Sequence, residues 1–169
     1  MPLSMYQASM TPIKKALRNL RGIVQKGATH ATERKIEESA LLQSRLYPDM
    51  FTFASQVQVV TDMARAAAAR LTNQEPPKFE DNETTFAQLI DRIDRTIAYV
   101  DSVPESAFEG AESRTITRPL RGQQKVFTAQ NYLQQFIMPN LYFHSAIAYG
   151  LLRHAGVELG KSDFLGALD

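Results

Sequence analysis

The chain has 169 residues, 44% hydrophobic and 22% charged, with no cysteine; this is the length of one globular domain, 1–169, folding around one core. The absence of cysteine excludes a disulfide framework, thiolate metal ligands and a cysteine nucleophile, so any thiol chemistry would borrow an external thiol. Its 19 Lys and Arg against 18 Asp and Glu leave a net charge of +1, which argues against a phosphate backbone as main partner.

Met1 to Tyr6 shows no charged leader ahead of an apolar run, and no window reaches the roughly 18 to 20 apolar residues of a bilayer span. A soluble cytoplasmic protein with neither nucleic-acid nor membrane partners is expected. Met10, Ile13, Leu17, Leu20 and Val24 step by three and four, predicting helix A over about 3–29, with Tyr6 extending the stripe. Pro12 either kinks this helix or sits at its first position behind a Thr11 cap. A short helical piece is expected around Ser39 to Leu46, ended by Pro48-Asp49.

Asp49 or Thr52 can cap helix B, whose face is Phe53, Val57, Val60, Ala64, Ala67 and Leu71. Its run Ala66 to Ala69 permits close approach of a neighbouring helix, or of another subunit. Pro76-Pro77 follow its end near Asn73. Helix C begins at a Thr85/Gln88 capping box and carries Phe86, Leu89, Ile90, Ile93, Ile97 and Val100 on one face, with Asp91 and Arg95 as an i,i+4 pair. Pro104 closes it. Alternating β-branched residues in Arg114–Arg118, a Gly122 turn and Val126-Phe127 predict a hairpin between 107 and 127. Thr128 then caps helix D, 129–154, with Gly156 suited to the position after its end. The tail from Glu158 has too little periodicity for another core helix. Four amphipathic helices that must bury their stripes against each other make an all-α four-helix bundle, with a small β-hairpin between the third and fourth long helices.

Helix D carries the chemistry-bearing pattern. On a continuous 100° rotation, Leu133, Phe136, Ile137, Asn140, Phe143, His144, Ile147 and Leu151 share a face, so Asn140 and His144 lie one above the other inside an apolar stripe. Burying an amide or imidazole without partners costs on the order of 1–3 kcal/mol, so the pair implies a satisfied polar network, a ligand site or a bound ion. Pro139 frees a carbonyl near Gln135, and a kink there would widen the bundle beside Asn140. On helix B, Gln56 projects toward the stripe and Asp62 away from it, although a rotated helix would turn Asp62 inward. Tyr142 and Tyr149 are expected as packing or interface residues. His30 and His154 fall near helix ends, and convergence with His144 is disfavoured because His154 is ten residues, about 15 Å of helix, from it. Arg114, Arg118, Arg121 and Lys125 on the hairpin could attract an anion or simply protect its edge. The set Asp163-Phe-Leu-Gly166 is not a kinase signature, its glycine being one place late.

Several stretches in order, among them Leu46-Tyr-Pro-Asp-Met-Phe51, Ala67-Ala-Ala-Arg-Leu71, Pro77-Lys-Phe-Glu-Asp-Asn-Glu-Thr-Thr-Phe86, Asn140-Leu-Tyr-Phe-His144 and Leu152-Arg-His-Ala-Gly-Val157, resemble the bacterial domain-of-unknown-function family numbered nineteen ninety-three. That family belongs with the DinB/YfiT-like four-helix bundles. The resemblance implies a divalent-metal site built from one histidine on the second long helix and an H-x-x-x-H pair on the fourth. His144 takes the second place of that pair, Asn140 replaces the first, and the stretch Gln56 to Asp62 contains no histidine. One imidazole with amide and carboxylate oxygens suits zinc or nickel less than three imidazoles do. The resulting expectation is a non-catalytic small-ligand-binding or dimerisation module, a homodimer, with a degenerate metal site at His144 and a candidate pocket of His144, Asn140, Gln56 and Asp62. The alternative is a metal- or thiol-dependent transferase or isomerase using His144 in a polar pocket between helices B and D.

Overall fold

A computed structural model describes residues 3–120 and 122–167. Helix α1 spans Met5–Arg34. It starts at a reciprocal cap in which the Ser4 hydroxyl accepts from the Gln7 amide at 3.1 Å and the Gln7 side chain accepts from the Ser4 amide at 3.2 Å. Pro12 lies inside it, away from its first position. The helix outruns its predicted end by one turn because small residues continue its buried face: Gly27 and Ala31 are buried. A Cβ on Gly27 would sit 2.9 Å from Leu152 Cδ1 and 3.0 Å from Phe86 Cε1, so a side chain there would force the helices apart. Lys35, in the left-handed region at φ 54°, ends the helix.

After the short α2, Glu38–Leu42, helix α3 covers Phe53–Leu71, with Thr52 as the capping residue. Helix α4, Phe86–Ser102, opens on the Thr85/Gln88 capping box. A 3-10 turn at Glu105–Phe108 leads to β1, Thr115–Leu120, and β2, Gln123–Thr128, an antiparallel pair in the register Thr115↔Thr128 to Leu120↔Gln123 with Gly122 at φ 76° in the turn. One continuous helical rod follows. It begins as α5, Ala129–Tyr132, passes through a π-helical turn at Leu133–Ile137, and continues as α6, Met138–His154. The tail forms α7, Lys161–Leu165, docked on α1.

Helices α1, α3, α4 and α6 make the bundle, with α3 packed against the other three. Ala66 is 5% exposed and Ala67, Ala68 and Ala69 are fully buried. The alanine run is therefore spent inside this chain, against the expectation that it could seat another subunit. Helices α3 and α6 pack side by side, which places His144, in the second turn of α6, within hydrogen-bonding reach of α3.

Candidate functional site

The buried face of the last long helix is not the one a uniform 100° rotation predicts. Leu133 and Ile137 are buried as expected, but beyond them the buried residues are Leu141, Ser145, Ala148, Leu151 and Leu152, while Phe143 is 57% exposed. The cause is the π-helical turn, in which the Met138 amide bonds five residues back to Leu133 O. One extra residue in the turn rotates everything after it by about 100°. His144 and Asn140 consequently sit at the edge of the buried face, half-buried, rather than inside the core stripe. Pro139, second residue of α6, follows directly, where its missing amide is accommodated by the widened turn.

This rotation aims His144 at α3. Its Nδ1 lies 2.6 Å from Gln56 Oε1, and Gln56 is 1% exposed. The direction of the bond follows from the rest of the amide: Gln56 Nε2 donates to the Phe51 carbonyl at 3.2 Å, which can only accept, so Oε1 is the atom facing the ring and Nδ1 must carry the proton. Burial pushes the His144 imidazole below its ordinary pKa, so at neutral pH the ring is uncharged and its Nε2 offers a lone pair. Phe51 stacks on the ring at 6.1 Å and Phe143 meets it edge-on at 5.1 Å. Asn140 turns back along its own helix, donating Nδ2 to the Phe136 carbonyl at 2.6 Å.

Asp62 is not part of this group. It pairs with Arg65 and, at 2.8 Å, with Arg92, on the side of α3 that faces α4. Arg92 is fully buried and spends its guanidinium on Thr61 Oγ1 at 2.7 Å, the Glu80 carbonyl and Glu83 Oε1 at 2.9 Å each, Asp62, and Asp81 at 2.9 Å. The other oxygen of Glu83 accepts from Gln58 Nε2 at 2.9 Å. Arg65 lies 3.9 Å over the Phe79 ring and Arg95 4.5 Å. The network clasps the loop between α3 and α4 onto both helices. Its sequence signal was present, since Arg92 is a charge on the buried face of helix C.

Other expectations resolve similarly. Arg114 spends its guanidinium on the carbonyls of Leu71 at 2.7 Å, Ala107 at 3.0 Å and Glu109 at 2.9 Å, tying the hairpin to the end of α3 rather than awaiting an anion. Arg121 lies outside the described residues. His30 is half-buried within α1, and His154 is exposed at the end of α6.

The family model described as Domain of unknown function (DUF1993) matches residues 5–165. The chain belongs to this family. The crystal structure of a DinB family member protein from Shewanella denitrificans is similar to it at 40% identity, covering 97% of this chain and 93% of that one, with a TM-score of 0.90. No curated protein matches. A DinB-like bundle is thereby the fold of this chain, hairpin included. The three-histidine metal site of the wider superfamily does not fit the residues present. His144 is a single imidazole, Gln56 Oε1 already accepts from it, Asn140 points its amide at a backbone carbonyl, and Asp62 belongs to the clasp. Among the described residues no three His, Cys, Asp or Glu side chains converge as a metal cluster, and no helix is long and apolar enough to cross a membrane.

Proposed function

We propose that this DinB-like bundle, acting as one domain, is a non-catalytic small-ligand-binding module whose recognition group is His144. The observation that carries this reading is the bond from His144 Nδ1 to Gln56 Oε1. It fixes the ring and leaves Nε2 as an acceptor beside two aromatic rings that are more than half exposed, Phe51 at 55% and Phe143 at 57%. A planar molecule with an N–H donor meets both features. Acid–base catalysis is not supported in the same way. A neutral amide stabilises an imidazolium less than the carboxylate of a catalytic triad does, and among the described residues no second titratable group bonds to the pair.

Self-association belongs to the same reading. Leu46 and Tyr47 on the loop before α3 are 55% and 66% exposed and offer apolar surface, beside the ligand site, that a second copy of the chain would cover. The cysteine-free composition supports a cytoplasmic setting.

Benzamide, which carries a ring and an N–H donor, is the probe. Amide-shift titration should give saturable changes at Gln56, Asn140 and His144 that His144→Ala abolishes. Shifts that bypass these residues, or turnover lost in His144→Ala, would overturn the proposal.

A further inference from the structure

A second space lies on the other side of α6, away from His144. Between α1, α6 and α7 lies a partly open cavity of about 220 Å³. Ala16, Leu20 and Ile23 of α1 form one wall, Tyr142 and Ser145 of α6 the opposite one, and Phe164 of α7 the cover. A cavity of about 150 Å³ with apolar walls holds a benzene ring, so this one admits a ring with a substituent.

Ser145 is 4% exposed, and its Oγ has no hydrogen-bond partner. Most buried polar side chains are paired, and an orphan hydroxyl calls for a reason. Here the reason available is the cavity that Ser145 lines. Asn19 and Lys15 at the rim, and Lys26 beyond it, are tied to the segment that covers the cavity. Asn19 Nδ2 donates to the Phe164 carbonyl at 2.9 Å, Lys15 Nζ donates to the Ala167 carbonyl at 2.6 Å, and Lys26 pairs with Asp163 at 2.8 Å. These three bonds strap α7 and the following residues across α1. Burial pushes the Tyr142 phenol up from its ordinary pKa, so it remains uncharged.

We propose that this cavity is a binding site for a compact, neutral, largely apolar molecule carrying one hydrogen-bonding group, which pairs with Ser145 Oγ beneath the α7 strap. Charge is disfavoured because the lining is mostly apolar and an ion would lose its hydration there. One hydrogen-bonding group suffices because Ser145 Oγ is the buried unpartnered side-chain atom of the lining.

Phenol and toluene, matched but for a hydroxyl, test this. Amide-shift titration of the native chain should place saturable phenol shifts on Leu20, Ile23 and Ser145, with toluene weaker. Ser145→Ala should weaken phenol roughly three- to tenfold, the loss of one neutral hydrogen bond, leave toluene unchanged, and not lower the melting midpoint, since the hydroxyl removed had no partner. Ala16→Phe, which fills the space, should abolish both. Phenol shifts confined to the His144 face, no saturable shift, or equal phenol affinity in Ser145→Ala would each overturn the proposal. Because the two probes report on opposite sides of α6, failure here and failure of the His144 reading are distinguishable. If Ala16→Phe does not fold, the shift map and Ser145→Ala decide.

Discussion

Single charges buried without water set the sharpest energetic demands in this chain. Arg92 and Glu83 are each tolerable only because the other is present. Arg92→Met should cost about 3–5 kcal/mol, because a buried carboxylate is left without its guanidinium; the further change Glu83→Met should recover part of it. Urea unfolding measures both, and an unchanged midpoint for Arg92→Met would contradict the clasp. Burial alone would raise the Glu83 pKa, but the bonds from Gln58, Arg92 and the backbone outweigh it and hold the carboxyl below its ordinary range. Its stabilisation is complete above the ordinary glutamate value and is lost as pH falls through the depressed one. His144 acts in a higher window. Its folded pKa lies below the unfolded value of about 6.5, so the unfolded chain takes up the proton first and stability declines as pH drops below that value, levelling once the folded ring is protonated. Melting midpoints from pH 7.5 to 5 should fall, and less steeply in His144→Phe. Equal slopes would remove His144 as the cause.

At the scale of elements, the caps and stripes were legible in the sequence and the π-helical turn was not. Thr52, the Thr85/Gln88 box, the Gly122 turn and the apolar faces of α3 and α4 announce themselves by residue type and spacing. An inserted helical residue leaves hydropathy unchanged, so a uniform rotation puts Phe143 inside, where the structure exposes it, although Leu151 is buried as that rotation predicts. Gln56 opposite His144 was legible as a polar residue at the edge of a stripe; the exposed ring of Phe143 was not, because an aromatic residue at helical spacing reads as core, and Phe51 lies in a loop, where no periodicity signals its contact with His144. If the turn is an insertion between two independently packed halves, removing Gln134 together with Pro139→Ala should give an uninterrupted α-helix with a melting midpoint within a few degrees of native. Removing Ala146, within the regular helix, should rotate the rest of α6 out of register and prevent folding. Circular dichroism melts compare them, and equal damage from both deletions would contradict the insertion. Ala67→Leu, in the fully buried alanine run of α3, should cost roughly 1–3 kcal/mol through overpacking.

The whole molecule combines the frame of a DinB-like bundle with a site whose polar groups are amides and one neutral imidazole. On the proposed self-association through Leu46 and Tyr47, light scattering should show a dimer that Leu46→Ser with Tyr47→Ser turns into a monomer, and a native monomer at all concentrations would remove that part of the account. The central claim is that His144 is a fixed, neutral hydrogen-bonding ring and not a metal ligand. It is tested most directly by the side-chain nitrogen spectrum of His144 at pH 7.5, with and without one equivalent of Zn²⁺. The account predicts a neutral ring protonated at Nδ1 and the same spectrum in both samples. A ring protonated at Nε2, or Zn²⁺-dependent shifts at His144, would contradict it.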